Sequence, residues 1–184
     1  MYGLVNQAIR DMVVERFGVE TWGDICALTG ADELFLTMGQ YPDELTFSLI
    51  ESLCKLQGCE SDVVLQNFGE YWIDYVAKNY QELFAMAGGD FVTFVKNLNS
   101  LHTRVAQMMP ELQAPGFSIS DAQEGRFVLH YYSQRDGMQP MIIGLFRGLG
   151  RRFATAVSLT YLEGKTEGLD HDCFQVEYSR HEDD

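Results

Sequence analysis

Two groups of side chains have the types and spacing to do chemistry. His102 stands four residues after Leu98 and three before Val105, inside an apolar stripe of helical period. A neutral imidazole so placed is a ligand for ferrous porphyrin iron. The bland alternative is a core histidine bonded to a carbonyl oxygen. Further on, Tyr131, Ser133 and Arg135 alternate, so a strand would present them in a row on one face, ~6.6 Å apart. Two hydroxyls and a guanidinium can hold two carboxylates. A porphyrin carries two propionates, which need partners inside a protein. The alternative is the polar end of a strand entering a turn.

Other candidates carry less. His130 belongs to the opposite strand face and should point away from that row. His171 and Cys173 form a His-x-Cys pair, and His181 follows in the acidic C-terminal region. A closed zinc site needs four ligands, and no obvious further set lies nearby. Asp170-His171-Asp172 could do acid–base work, but no serine or cysteine sits in a Gly-x-Ser-x-Gly elbow. Gly144, Gly148 and Gly150 have a helical context, and no Gly-x-Gly-x-x-Gly follows a strand. Enzymatic activity is not expected.

The elements that position these residues follow from periodicity. Leu4/Val5, Ala8/Ile9, Met12/Val13 and Phe17 repeat at helical spacing up to Gly18. A short segment around Trp22, Ile25 and Leu28 ends near Gly30. Asp43 is expected to cap a helix closed by Gly58, and Ser61 opens another through Val64, Phe68, Trp72 and Tyr75. Asp90 should cap one long helix that carries His102 and ends at Pro110. After Pro115 the period becomes two. Phe117 and Ile119 precede an expected turn over 121–125, and Phe127, Leu129, Tyr131 and Ser133 share a strand face. A helix over about 141–153 and strands over about 155–163 and 173–178 complete an α+β chain, with helices first and an antiparallel sheet after.

The 184 residues fit one domain, which can bury a core without staples. A formal charge of −14 repels nucleic-acid phosphates and anionic membranes, so neither is an expected partner. The four cysteines include no Cys-x-x-Cys, which points to reduced thiols and a cytoplasmic protein. Asn6, Gln7, Arg10 and Asp11 interrupt any signal-peptide pattern, and no apolar run reaches the ~18 residues of a membrane span.

Several motifs occur in order: Met1-Tyr2-Gly3-Leu4-Val5-Asn6, Leu101-His102-x-Arg104-Val105, Pro115, and Tyr131-x-Ser133-x-Arg135. With these the chain resembles, over nearly its whole length, the H-NOX family of haem nitric oxide/oxygen-binding domains, related to the haem domain of soluble guanylate cyclase. It looks like a stand-alone bacterial member. The resemblance implies haem b between a distal helical lobe (about 1–60) and a proximal lobe (about 61–184). It implies that His102 ligates iron, that Tyr131, Ser133 and Arg135 hold the propionates, and that Pro115 and Val5 press on the porphyrin, with Leu101 beside it. Ile9, Trp72 and Met141 would line the distal side, and Leu145 would also contact the cofactor. Met141 stands where oxygen-binding members carry a tyrosine. The expectation is therefore a nitric oxide (and CO) sensor that excludes oxygen and signals to a histidine kinase or a cyclic-dinucleotide enzyme. An oxygen or redox haem sensor and a haem-free interaction module are the competing readings. Some bacterial relatives have a Cys/His zinc site near the C-terminus. Tyr161 and Gly164 stand about where ligands would be, only Cys173 remains, and no zinc is expected.

Overall fold

The computed structural model describes residues 1–180, apart from the Arg180 side chain; His181 lies outside the described residues. Four helices come first: α1 (Gly3–Phe17), α2 (Val19–Thr29), α3 (Asp43–Gln57) and α4 (Ser61–Asn79). Their apolar faces meet in one core that includes Ile9, Met12, Val13, Ile25, Leu49, Leu53 and Phe68. Gly58, at φ 62°, ends α3 in the left-handed conformation that side chains disfavour.

The second half holds α5 (Gln81–Ala85), α6 (Phe91–Lys96), α7 (Leu98–Met108), β1 (Gly116–Gln123), β2 (Arg126–Tyr132), α8 (Gln139–Arg152), β3 (Thr155–Glu163) and β4 (Asp172–Arg180). The strands form one antiparallel sheet in the order β1-β2-β4-β3. Phe127, Leu129, Phe174 and Val176 line its inner face and pack with Phe91, Phe94, Phe146 and Leu149 in a second core. Burying side chains of this size gains roughly 1.5–3 kcal/mol each.

Helices α4 and α8 tie the two cores together. Trp72 on α4 and Met141 on α8 pack against both. The helices cross at Gly69 and Gly144, where a Cβ at Gly144 would collide with the Gln66 carbonyl and one at Gly69 would lie 2.7 Å from the Leu145 nitrogen. That close approach is the use of a glycine the sequence showed only as helical.

The α+β architecture is as expected, with four local corrections. The expected long helix is two helices, broken at Asn97. Its side chain donates to the Ala87 carbonyl, and its backbone leaves helical geometry at φ −94°, ψ 1°. Asp90 does cap the first piece, accepting from the Thr93 amide. Asp43 is not the cap of α3: Pro42 holds that position, and the Asp43 carboxylate is used elsewhere. β1 runs through the expected turn by means of a bulge between Ser120 and Gln123, and only Glu124 and Gly125 turn. Ser133 lies past the end of β2, in a bend where its Oγ accepts the Arg135 amide. A serine hydroxyl offers the backbone that alternative to a ladder bond.

Candidate functional site

Helix α7 is amphipathic, yet none of its residues is fully buried, whereas seven residues of α8 are. Leu98, Leu101 and His102 are half-buried on its inner side. Asn99, one turn-edge before the histidine, fixes the helix to the sheet. Its amide donates to the Phe117 carbonyl at 2.6 Å and accepts the Phe117 amide at 2.9 Å. Sequence reasoning missed Asn99, because a polar residue on a helix gives no sign of a partner strand.

His102 Nδ1 lies 3.1 Å from the Pro115 carbonyl oxygen. A carbonyl can only accept, so Nδ1 carries the proton and donates. The Nε2 lone pair is then the free ligand atom. Burial pushes the His102 pKa below its ordinary value, and the bond to Pro115 opposes this only in part. The ring is therefore a neutral imidazole at neutral pH, the form that binds iron. The Phe117 ring lies 5.9 Å from His102 and 5.5 Å from Tyr131, linking the helix to the end of β2.

Tyr131, Ser133 and Arg135 gather at that end. Tyr131 is buried, and burial first of all raises its pKa, although Ser133 and Arg135 act against it. Its hydroxyl thus stays protonated, a neutral donor. Arg135 Nε donates to Asp43 Oδ2 at 2.7 Å, and its Nη1 donates to the Gln113 carbonyl at 3.1 Å. Asp43 also accepts the amino terminus at 2.7 Å. Tyr2 Oη accepts the Glu111 amide. The loop that delivers the Pro115 carbonyl is therefore held by Tyr2 and Arg135 at once.

The other expected site residues divide between the two cores. Ile9 is buried and Val5 half-buried on α1; both belong to the first. Leu101 and Leu145 pack on the second. Trp72 and Met141 touch both, and Trp72 stacks on Tyr75 at 6.0 Å. The tyrosines of α4 face α1: burial raises the Tyr71 pKa, and the carboxylates of Glu15 and Asp11 raise it further.

Gly164 lies against Asp172 and the Tyr161 hydroxyl rather than Cys173, and Gln139 donates to Asp172 at 3.2 Å. Cys173 belongs to the opposite sheet face, where it meets His130.

The donor set at α7 and the bend fits a haem. It offers one imidazole lone pair for iron, with hydroxyl and guanidinium donors for two carboxylates, beside a helix whose apolar stripe is incompletely covered. Fold and donors together define a domain built to hold a flat metal cofactor.

The comparisons agree. The sequence model described as Haem-NO-binding matches residues 2–161, and the chain belongs to that family, the H-NOX haem-based gas sensors. It is 26% identical over 178 residues to soluble guanylate cyclase gcy-35 of Caenorhabditis elegans, covering 92% of this chain and 26% of the cyclase. It is 30% identical over 108 residues to the guanylate cyclase soluble subunit beta-2 of Rattus norvegicus, covering 58% of this chain and 16% of that protein. The chain thus spans about a quarter or less of these two relatives. An H-NOX protein from S. oneidensis in the Fe(II)NO state superposes with a TM-score of 0.88 at 19% identity, covering 98% of this chain and 100% of that one. The unliganded Fe(II) H-NOX protein of K. algicida gives 0.85 at 19% identity, with 98% of each chain covered. Members of this family are sensor domains rather than catalysts. Among the described residues no helix is long and apolar enough to cross a membrane.

Proposed function

We propose that this chain is a nitric oxide (and CO) sensor that holds haem b between its two hydrophobic cores, with His102 Nε2 as the iron ligand. The observation that carries the proposal is the His102–Pro115 hydrogen bond, which fixes the protonated nitrogen and leaves the other free. When bound, the haem supplies a ferrous iron at which a diatomic gas binds. Tyr131, Ser133 and Arg135 pair the two propionates. Pro115 and Val5 would pack against the ring. We place the distal lobe at about 1–60 and the proximal lobe at about 61–184.

Selectivity rests on which groups can donate to the gas. Bound oxygen draws partial negative charge and gains from a hydroxyl donor; nitric oxide and CO depend on it less. Ile9, Met141 and Leu145 offer no donor. Tyr71 is engaged with Glu15 of α1. Trp72 supplies only its indole N–H. Asn99 and the Pro115 carbonyl hold α7 whether or not His102 Nε2 has a ligand, so a change at that nitrogen would let α7 move about those anchors and the helical lobe shift against the sheet. A separate partner, a histidine kinase or a cyclic-dinucleotide enzyme, binds one arrangement better. A cytoplasmic location agrees with four free cysteines.

The test is the visible spectrum of the ferrous protein with and without nitric oxide, for the wild type and for His102→Gly. A Soret band that differs between the two proteins without gas, and coincides once nitric oxide is added, is expected. No stable oxygen complex should form in air. Absence of a Soret band after haem is supplied would favour a haem-free interaction module, and a stable oxygen spectrum would favour an oxygen sensor.

A further inference from the structure

On the outer face of the sheet, away from the haem donors, three ligand-type atoms converge: His130 Nδ1, His171 Nε2 and Cys173 Sγ, all within 4.8 Å of one another. Register makes the meeting, since His130 of β2 lies directly opposite Cys173 of β4. The two imidazole nitrogens are 2.9 Å apart, and the sulfur is 3.4 Å from His130 Nδ1.

The proton positions are what make this cluster unusual. His171 Nδ1 lies 2.6 Å from the Asp170 carboxylate. An ionised carboxylate only accepts, so Nδ1 is the protonated nitrogen and Nε2 carries a lone pair. Ser120 Oγ donates to Asp121 Oδ2 at 3.0 Å, and Ser120 Oγ is 2.8 Å from His130 Nε2. With its own proton committed to Asp121, Ser120 accepts from His130 Nε2, which leaves the lone pair on Nδ1. In these tautomers two imidazole lone pairs and a thiol converge on one point, where a single cation could take all three as ligands. The Tyr132 ring stacks on His171 at 4.4 Å and fixes its plane.

We propose that His130, His171 and Cys173 bind one zinc ion, with a fourth position open to solvent. Tetrahedral zinc with nitrogen and thiolate ligands needs donor atoms roughly 3.3–3.7 Å apart, given bonds of about 2.0–2.3 Å, and small rotations of the two rings supply that. Ligand histidines that donate their second nitrogen to an oxygen are the rule in such sites, and Ser120 and Asp170 play that part here. Burial raises the Cys173 thiol pKa, and Glu163, Asp172 and Asp170 raise it further. A divalent ion reverses that preference, and the same carboxylates then offset its charge. The set is separate from Gln139, Tyr161, Gly164 and Asp172, which lie on the other sheet face.

The experiment uses the full chain with haem in place, stripped of loosely bound metal and dialysed against zinc. Elemental analysis should give about one zinc per chain, and zinc-edge X-ray absorption should show one sulfur and two imidazole nitrogens. Cys173→Ser and His171→Ala should each weaken zinc binding at least tenfold, and Asp170→Asn by about tenfold. The Soret band should stay unchanged, which reports that the fold is intact. His171, like His130, is partly exposed, so its variant serves if Cys173→Ser does not fold. Zinc binding no tighter in the wild type than in both variants, or an absorption spectrum without sulfur, overturns the proposal. A single proton shared between the two imidazoles would give that result.

Discussion

His102 and Arg135 each divide their bonding capacity between two tasks. One His102 nitrogen is bound to the Pro115 carbonyl and the other is free. Arg135 bonds Asp43 through Nε and the Gln113 carbonyl through Nη1. Losing a charge-assisted bond costs about 1.5–3 kcal/mol. Arg135→Ala should therefore speed haem loss to a competing apo-globin by roughly 10–100-fold, and Arg135→Lys should restore only part. The lowered His102 pKa sets a sign for pH dependence. The unfolded chain takes up the proton first, near pH 6.5, so this residue costs stability as pH falls below that value, until the folded-state pKa is passed. Urea midpoints at about pH 7.5 and 5.5 should fall more for the haem-free wild type than for His102→Gln. The histidine and the alternating row were legible because spacing alone exposes them. Asn99 and Asp43 were not, because their partners lie 18 and 92 residues away in the chain.

At the scale of elements, hydrophobic period located almost every helix and strand but not the places where polar side chains intervene. Asn97 splits one apolar stripe into α6 and α7 by bonding the Ala87 carbonyl. Ser133 ends β2 by capturing an amide. Both events depend on local competition for backbone groups, to which an apolar pattern is blind. The α4–α8 crossing was equally hidden, since glycines within a helix show no partner. Its consequence is testable. Gly144→Ala must push the Gln66 carbonyl away and spread the two helices, although alanine favours the helix by about 1 kcal/mol. Overpacking costs about 1–3 kcal/mol and should win, so thermal denaturation should show a lower midpoint. Gly23 of α2 has nothing within 4 Å of its added Cβ, so Gly23→Ala should instead be neutral or stabilising.

Across the whole molecule, the two cores are joined by α4 and α8 and, at the other end, by Asp43, which bridges the amino terminus and Arg135. Burial alone would raise the Asp43 pKa, but hydrogen bonds from the amino terminus and Arg135 outweigh it and hold the group below its usual range. That contribution is present above the unfolded carboxylate value of about 3.9 and disappears as pH falls through the folded-state value. Asp43→Asn should lower stability by about 1 kcal/mol at neutral pH, and the gap to the wild type should close in acid. The same variant should also loosen Arg135 and alter how far the spectrum changes with nitric oxide. The two-core plan could be anticipated from helices preceding a sheet. The bridge could not, because the helix-capping role that spacing suggests for Asp43 is taken by Pro42.

The bond that fixes the proton of His102 ends on a main-chain oxygen. No single codon change can delete that atom, so genetic drift leaves the tautomer of this ring intact whichever side chain occupies position 115. What drift can alter is where the oxygen sits, through Tyr2 and Arg135, which grip the segment that carries it. The acceptor that orients this imidazole is thus adjustable from afar, by residues that never touch the ring.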